Sequence, residues 1–316
     1  MSQRIDIEGQ IPVELAGKRL DQALAELLPD YSRSRLTAWI RAGEVLLEGN
    51  TCRPRDALLG GERFTLHAVL DTESAPEAEP IPLDIVFQDD ALLVINKPAG
   101  LVVHPGAGNR AGTLMNALLH HVPQLAAIPR AGIVHRLDKQ TSGLMVIASN
   151  LASHNTLVSA MAQRNVSREY EAVINGVLTA GGKVDAAIGR HRVDRKRMAV
   201  GENGRHAVTH YRVIEKFRAH THVDLKLETG RTHQIRVHMQ YIRHSIVGDP
   251  VYGGRPRVPA KASEELRTQL QQFPRQALHA KRLEFMHPVS GEMQQFQAPR
   301  PDDMQGLINA LREDSK

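Results

Sequence analysis

A chain of 316 residues, 41% hydrophobic and 24% charged, has the apolar mass of an ordinary soluble globular protein and a length that suggests two domains. Forty Lys and Arg against 35 Asp and Glu leave a charge of +5, to which 16 His add below neutral pH, and this mild excess leans toward a polyanionic partner. The single cysteine, Cys52, excludes an intrachain disulfide framework and a multi-thiolate metal site, which fits a reducing compartment.

The first ten residues, MSQRIDIEGQ, have no apolar core of the kind a signal peptide needs. No apolar run approaches the roughly 18 residues of a membrane span. Neither feature is therefore expected, and the expected location is cytoplasmic. Leu20, Ala23, Leu24, Leu27 and Leu28 recur at helical spacing after Gly17-Lys18 and predict a first helix. Tyr31-Ser32 supplies an N-cap for a second, with Leu36, Trp39 and Ile40 on one face and Gly43 at its end. Short strands are predicted at 45–47 and 63–69, the latter turning Phe64, Leu66 and Ala68 inward. Gly49-Asn50 and Gly60-Gly61 provide the turns. Together these make a small α/β module at 13–70. Residues 71–80, DTESAPEAEP, carry four acidic residues, two prolines and no large apolar side chain, which predicts a flexible linker.

The remainder, 81–316, reads as a second domain. Strands at 85–87 and 92–95 flank Gln88-Asp89-Asp90 as a hairpin, and Thr113 caps a helix at 114–121. A buried strand at 144–148 precedes a helix capped by Asn150 and reaching about residue 164. Further strands are predicted at 169–173, 207–217 and 222–228, the last with Val223, Leu225 and Leu227 on one face. A helix at 232–242, a closing strand at 278–286 and a terminal helix from 302 through Met304, Leu307 and Leu311 complete the chain. Strands succeed one another without regular helical crossovers. The expected fold is therefore α+β, with a mixed, largely antiparallel sheet.

Several common signatures are absent. Gly106, Gly108 and Gly112 are spaced one residue too far for a dinucleotide fingerprint, and Gly181-Gly182-Lys183 is followed by Val184 where a phosphate loop needs Ser or Thr. Gly-x-Ser-x-Gly and His-Glu-x-x-His do not occur, and His233 and His238, five apart, fall on different helix faces. No nucleotide cofactor, other cofactor or metal is expected.

Basic clusters are more informative. Arg33, Arg35 and Arg41 lie on or before the second helix, where guanidinium groups and main-chain amides can hold phosphates. Eight acidic residues between 14 and 62 offset the module's eight Lys and Arg, so a solvated helix face is an equal reading. The run Arg190-His191-Arg192-Val193-Asp194-Arg195-Lys196-Arg197 is denser and flanked by loop glycines. It reads as an RNA-backbone loop, with Arg192, Arg195, Lys196 and Arg197 as contacts.

Two stretches carry the chemistry. His135-Arg136-Leu137-Asp138-Lys139-Gln140-Thr141-Ser142-Gly143 sets Asp138 between two cations. Neighbouring cations favour the ionised form of a carboxylate, which suits a nucleophile or a general base and also attracts an anionic substrate. From these residues alone, a surface aspartate in a salt-bridged turn is the other reading. In Glu228-Thr229-Gly230-Arg231-Thr232-His233-Gln234-Ile235-Arg236-Val237-His238-Met239 a strand ends in a glycine turn and a helix begins. Arg231 and Arg236 stand near that junction, where an arginine can fork to a carboxylate or phosphate, or simply project from a capped turn.

Residues 135–143 with 230–239 resemble the paired motifs of the RluA-type RNA pseudouridine synthases. Residues 17–66 (GKRLDQAL…SRSRL…IRAGEVLLEGN…GERFTL) resemble an S4 RNA-binding domain. The likeness continues through Asn96-Lys97-Pro98-Ala99-Gly100, Val103-His104-Pro105, Arg168-Glu169-Tyr170-Glu171-Ala172, Val247-Gly248-Asp249-Pro250 and Leu278-His279-Ala280, and so covers nearly the whole chain. It implies a pseudouridine synthase fold behind an S4-like module. It also implies 23S ribosomal RNA, or the assembling large ribosomal subunit, as partner. Asp138 would be the essential carboxylate of uridine isomerisation, and Arg236 would pair with it. Tyr170 would lie against the uracil and serve in proton transfer at C5, while Arg136 would occupy the place of the extruded base. Arg19-Leu20-Asp21 repeats the triplet at 136–138 but lies in the S4-like helix and is assigned no catalysis. Gln140 and Ser149 stand where an acidic residue and a lysine are common, which bears on RNA affinity or target choice. A non-catalytic S4-type ribosome-assembly factor is the alternative, and the intact Asp138, Tyr170 and Arg236 set argues against it. A nucleotide or sugar hydrolase would need a second positioned carboxylate or a metal site, and the sequence offers neither.

Overall fold

The computed structural model describes residues 2–29, 31, 33–71, 77–106, 108–194 and 197–316, and the chain divides into two units, Met1–Ala75 and Pro76–Lys316. The first contains β1 (Ser2–Gln10), α1 (Leu20–Leu27), α2 (Arg33–Ala42), β2 (Val45–Leu47), β3 (Asn50–Thr51) and β4 (Arg63–Asp71). Its sheet runs β1-β4-β2-β3, antiparallel at each pairing. The alternation of Phe64, Leu66 and Ala68 buries those side chains, as a period of two requires of a one-faced sheet. Leu20, Ala23 and Leu24 of α1 and Leu36, Trp39 and Ile40 of α2 pack into the same core. Gly43 ends α2 in the left-handed region, φ +78°, with its amide on the Ile40 carbonyl. Ser32, expected to cap α2, lies outside the described residues.

β1 was not expected. Ile5 and Ile7 alternate with Arg4, Asp6 and Glu8 and face Ala68 and Leu66 of β4, a pattern of only two large apolar residues. The strand carries the unit upstream of residue 13. Of the expected linker, 72–76 lie outside the described residues, whereas the stretch just after them is tied to the second unit. Asn116 Nδ2 donates to the Glu77 carbonyl, and the Glu79 carboxylate accepts the Gly112 amide.

The second unit contains β5 (Ile85–Gln88), β6 (Leu92–Lys97), α3 (Leu114–His121), β7 (Ser142–Ala148), α4 (Leu151–Ala162), β8 (Ser167–Asn175) and β9 (Gly182–Asp185). It continues with β10 (Ile188–Arg190), β11 (Met198–Val200), β12 (Val208–Lys216), β13 (His220–Leu227), α5 (Gln234–Tyr241), α6 (Glu264–Gln272), β14 (Leu278–Met286), β15 (Met293–Gln297) and α7 (Asp302–Asp314). The main sheet is ordered β5-β6-β7-β14-β8-β13-β12-β9, with β15 beside β14. The β7–β14 pair is parallel and the others are antiparallel, so the mixed, largely antiparallel α+β fold is the one found. The caps at Thr113 and Asn150 form as expected.

The strand expected at 278–286 forms as β14 and lies at the centre of the sheet, between β7 and β8. That insertion is tight: Gly143 has φ +116°, and a Cβ there would stand 2.2 Å from the Ala280 carbonyl oxygen. The basic run at 190–197 is not a plain loop throughout, because Arg190 ends β10, which pairs antiparallel with β11.

Candidate active site

Asp138 stands on the turn that enters β7, where the Thr141 amide bonds the Asp138 carbonyl at 3.0 Å. Lys97, at the end of β6, fixes that turn from beneath. Its Nζ donates to the carbonyls of Pro98 (2.7 Å), Leu101 (3.0 Å) and Lys139 (3.2 Å), and the side chain is fully buried. Burial pulls the Lys97 ammonium down to about 7, although the nearby Asp138 charge works in the other direction.

Across the turn, α5 presents Arg236. Its Nη1 donates to Asp138 Oδ2 at 2.9 Å, while Nε and Nη2 donate to the two oxygens of Asp249 at 2.7 and 3.0 Å. Asp249 Oδ1 also accepts the amides of Val251 and Tyr252, both at 2.9 Å. Burial opposes the Arg236 charge, but the two carboxylates outweigh it and raise its pKa above the ordinary value. Burial likewise pushes Asp249 up, and the bonds from Arg236 and from those amides hold it below the usual carboxylate range.

Tyr252 backs this arrangement. The Arg236 guanidinium carbon lies 5.0 Å from its ring centre and that of Arg197 lies 5.3 Å away. Its hydroxyl accepts the Met198 amide and lies 2.9 Å from His233 Nδ1. His233 precedes α5 in the left-handed conformation, φ 56°, which is why the helix starts at Gln234 rather than at 232. His233 Nε2 is 4.0 Å from Asp138 Oδ1, and burial lowers the pKa of the ring.

Asp138 and Arg236 open onto a pocket of about 850 Å³ that Tyr170 also lines. Tyr170 is on β8, opposite Leu225 on one side and Ala280 on the other, and burial raises its hydroxyl above the ordinary phenol value. Six arginines (130, 136, 164, 168, 231 and 236) line the pocket against two carboxylates, Asp138 and Glu228. A concave surface with that balance gathers anions.

The fold thus brings Asp138, Tyr170, Arg236, Arg136 and Arg231 to one pocket, although they come from three parts of the sequence. Arg136 is exposed, and Arg231 bonds the His206 carbonyl through Nε. Arg197 folds against Tyr252 instead of projecting, whereas Arg192 is exposed on the hairpin turn. Arg195 and Lys196 lie outside the described residues. In the first unit Arg41 is exposed and Arg35 is half-buried and engaged. Arg33 reaches Asp21 at 2.7 Å, and Arg19 holds the same buried carboxylate at 3.0 Å. The Arg19-Leu20-Asp21 triplet is therefore an internal ion-pair motif of the S4-like helix.

Sequence reasoning gave no role to Lys97, Arg168, His233, Asp249 or Tyr252. Lys97, Arg168 and Asp249 stood in motifs that carried the resemblance, and His233 was weighed only as a metal ligand. Nothing in the spacing marked Tyr252. Among the described residues no cluster of His, Cys, Asp and Glu is placed to hold a metal ion, and no helix is long and apolar enough to cross a membrane.

Comparison with known proteins agrees with this geometry. The RNA pseudouridylate synthase family model matches residues 91–241, and the S4 domain model matches 18–64. Ribosomal large subunit pseudouridine synthase D of Xanthomonas campestris pv. campestris is 56% identical over 305 residues, covering 96% of this chain and 92% of that protein. The protein of the same name from Pseudomonas aeruginosa is 54% identical over 314 residues, covering 99% and 98%. Among solved structures, human RNA pseudouridylate synthase domain containing 4 aligns with a TM-score of 0.57 at 28% identity, over 72% of this chain and 93% of its own. Human RNA pseudouridylate synthase domain containing 1 aligns at 0.54 and 25%, over 74% and 96%. With a pocket of this chemistry and relatives of this similarity along nearly its full length, the chain belongs to the RNA pseudouridylate synthase family and carries an S4 domain.

Proposed function

We propose that this protein converts specific uridines of 23S ribosomal RNA into pseudouridine, in the free RNA or in the assembling large subunit. The names of the similar bacterial proteins, which specify the ribosomal large subunit, support the choice of RNA. The observation that carries the reading is the Asp138–Arg236 pair, 2.9 Å apart, at the edge of a basic pocket that Tyr170 shares.

The reaction breaks the bond from uracil N1 to the sugar, turns the uracil, joins C5 to the sugar, removes the proton from C5 and leaves one on N1. It is redox-neutral and needs no external energy. Base flipping costs a few kcal/mol. Stacking on Tyr170 recovers roughly 1–3 kcal/mol. The exposed Arg136, beside the pocket, is suited to fill the gap left in the RNA stack. Asp138 acts on the sugar, by attack or by proton abstraction, and the bond from Arg236 keeps it oriented. Burial favours the neutral Tyr170 hydroxyl, so it serves the C5 proton as a relay, passing its own proton on as it accepts that one. In this reading the S4 unit, with Arg33, Arg35 and Arg41, and the hairpin, with Arg192, Arg195 and Lys196, guide the RNA.

The test is release of tritium from large-subunit rRNA labelled at uridine C5, with pseudouridines mapped afterwards. Release at discrete uridines is expected. A protein that binds the RNA yet releases no tritium would be a non-catalytic assembly factor, and the isomerase reading would fall.

A further inference from the structure

Arg168 lies two residues before Tyr170 on β8, hence on the same face of the strand, and it lines the same pocket at only 9% exposure. Among the described residues it has no ion-pair partner, and its buried Nε has no hydrogen-bond partner. The other pocket arginines differ. Arg236 is held by Asp138 and Asp249, Arg164 faces Glu228 at 3.5 Å, Arg231 bonds a carbonyl, and Arg130 and Arg136 are open to solvent. A buried ion without a counter-charge is costly, so an arginine kept in that state is built to receive one.

The surroundings preserve the vacancy for charge. His135, close by, accepts the Val146 amide through Nε2 at 3.1 Å. Burial first, and then the Arg168 charge, bring that ring down to about 3, so it stays neutral and adds neither counter-charge nor repulsion. Gly230 leaves the room: a Cβ there would lie 2.7 Å from Arg168 Nη1. The exposed Arg164 and the buried Tyr170 line the same pocket as Arg168.

We infer that Arg168 binds an RNA phosphate that enters the pocket with the extruded nucleotide, its planar fork closing on two non-bridging oxygens. This rests on the RNA-modifying reading above. A phosphate supplies the missing negative charge, whereas a uracil carbonyl would leave the guanidinium uncompensated.

The test uses the full chain and a large-subunit rRNA transcript, with affinity measured between about 50 and 200 mM salt. Arg168→Met should weaken binding by about tenfold or more. It should also reduce the slope of log affinity against log salt by about 0.7–0.9, the loss of one phosphate contact. Gly230→Ala, which keeps every charge and pushes the guanidinium aside, should reduce the slope in the same way, and Arg168→Lys should restore part of it. If Arg168→Met does not fold by its thermal transition, the Gly230→Ala slope decides alone. An unchanged slope in Arg168→Met or, where that variant does not fold, in Gly230→Ala, with or without weaker binding, overturns the phosphate assignment. A wild-type protein that releases no tritium from rRNA it binds overturns the isomerase reading instead, so the two failures are distinct.

Discussion

Asp249 grips Arg236 through both Nε and Nη2, at 2.7 and 3.0 Å, and leaves Nη1 alone to reach Asp138. A bidentate pair fixes the plane of the guanidinium as well as its position. The direction in which Arg236 meets Asp138 is therefore set by Asp249, a residue with no need to touch the substrate, and Asp249 is itself fixed by two backbone amides.

Asp249→Asn should lower the rate of the chemical step by about tenfold to a hundredfold while RNA affinity changes little, because Arg236 loses its fixed plane and the pocket keeps its cations. It should also destabilise the fold by roughly 3–5 kcal/mol, the cost of a buried pair broken on one side. Single-turnover tritium release and urea unfolding measure the two effects. Wild-type turnover in a folded Asp249→Asn protein would show that Arg236 is oriented by something else.

Asp138→Asn preserves the shape of the turn and a bond from Arg236 but removes the charge. Turnover should fall by about 10⁴-fold or more, as for loss of an essential catalytic group, with RNA binding retained. Tritium release near the wild-type rate would remove Asp138 from its assigned role.

Tyr170→Phe should bind RNA almost normally, since the ring still stacks, and turn over poorly, since the hydroxyl is gone. Burial holds that hydroxyl above the ordinary phenol value, so the neutral form persists to alkaline pH. The wild-type rate should accordingly show no fall attributable to phenol ionisation below about pH 10. Full activity in Tyr170→Phe would leave stacking as the only role.

Removing residues 1–75 takes away the whole first unit, which has a hydrophobic core of its own. The shortened protein should still isomerise uridine in short unstructured RNA, while affinity and site choice on rRNA deteriorate. If pseudouridine maps of rRNA are identical with and without the unit, the S4 domain is not a targeting device.

Much of this architecture was legible because it is local. Val223, Leu225 and Leu227 mark β13 by alternation, and Thr113 and Asn150 mark the helices they cap, since the chemistry of a strand face or a cap lies within a few residues. Asp138 and Arg236 stood out through the motifs around them. The grip of Asp249 on Arg236 did not, because a contact between a helix and a separate loop leaves no periodic trace. Nor did the central place of β14, since strand order is decided by pairing between distant segments. β1 and β15 were missed for a simpler reason. Each has one partly solvated face and too few large apolar residues to show a pattern: Ile5 and Ile7 in the first, Met293 and Phe296 in the second.

On β8, Glu171 supplies a pH test of the scaffold. It is buried next to Tyr170, where His222 Nε2 lies 3.0 Å away and Arg300 donates through Nη2 and Nε at 2.6 and 3.0 Å. Burial alone would raise this carboxyl, but the bonds from His222 and Arg300 prevail and bring it to about 2, from an ordinary 4.5. The folded value lies below the unfolded one, so the unfolded chain binds more protons between them and stability falls as pH drops through that window. The shift corresponds to roughly 3 kcal/mol at neutral pH. Glu171→Gln should therefore be less stable than wild type at pH 7, and the gap should narrow by roughly 1–2 kcal/mol on going to pH 3.5, as the carboxyl of the unfolded wild-type chain takes up its proton. Urea unfolding of both proteins at the two pH values measures it. A gap that stays constant would mean that the charge on Glu171 contributes nothing to holding β8 against β13 and the segment that carries Arg300.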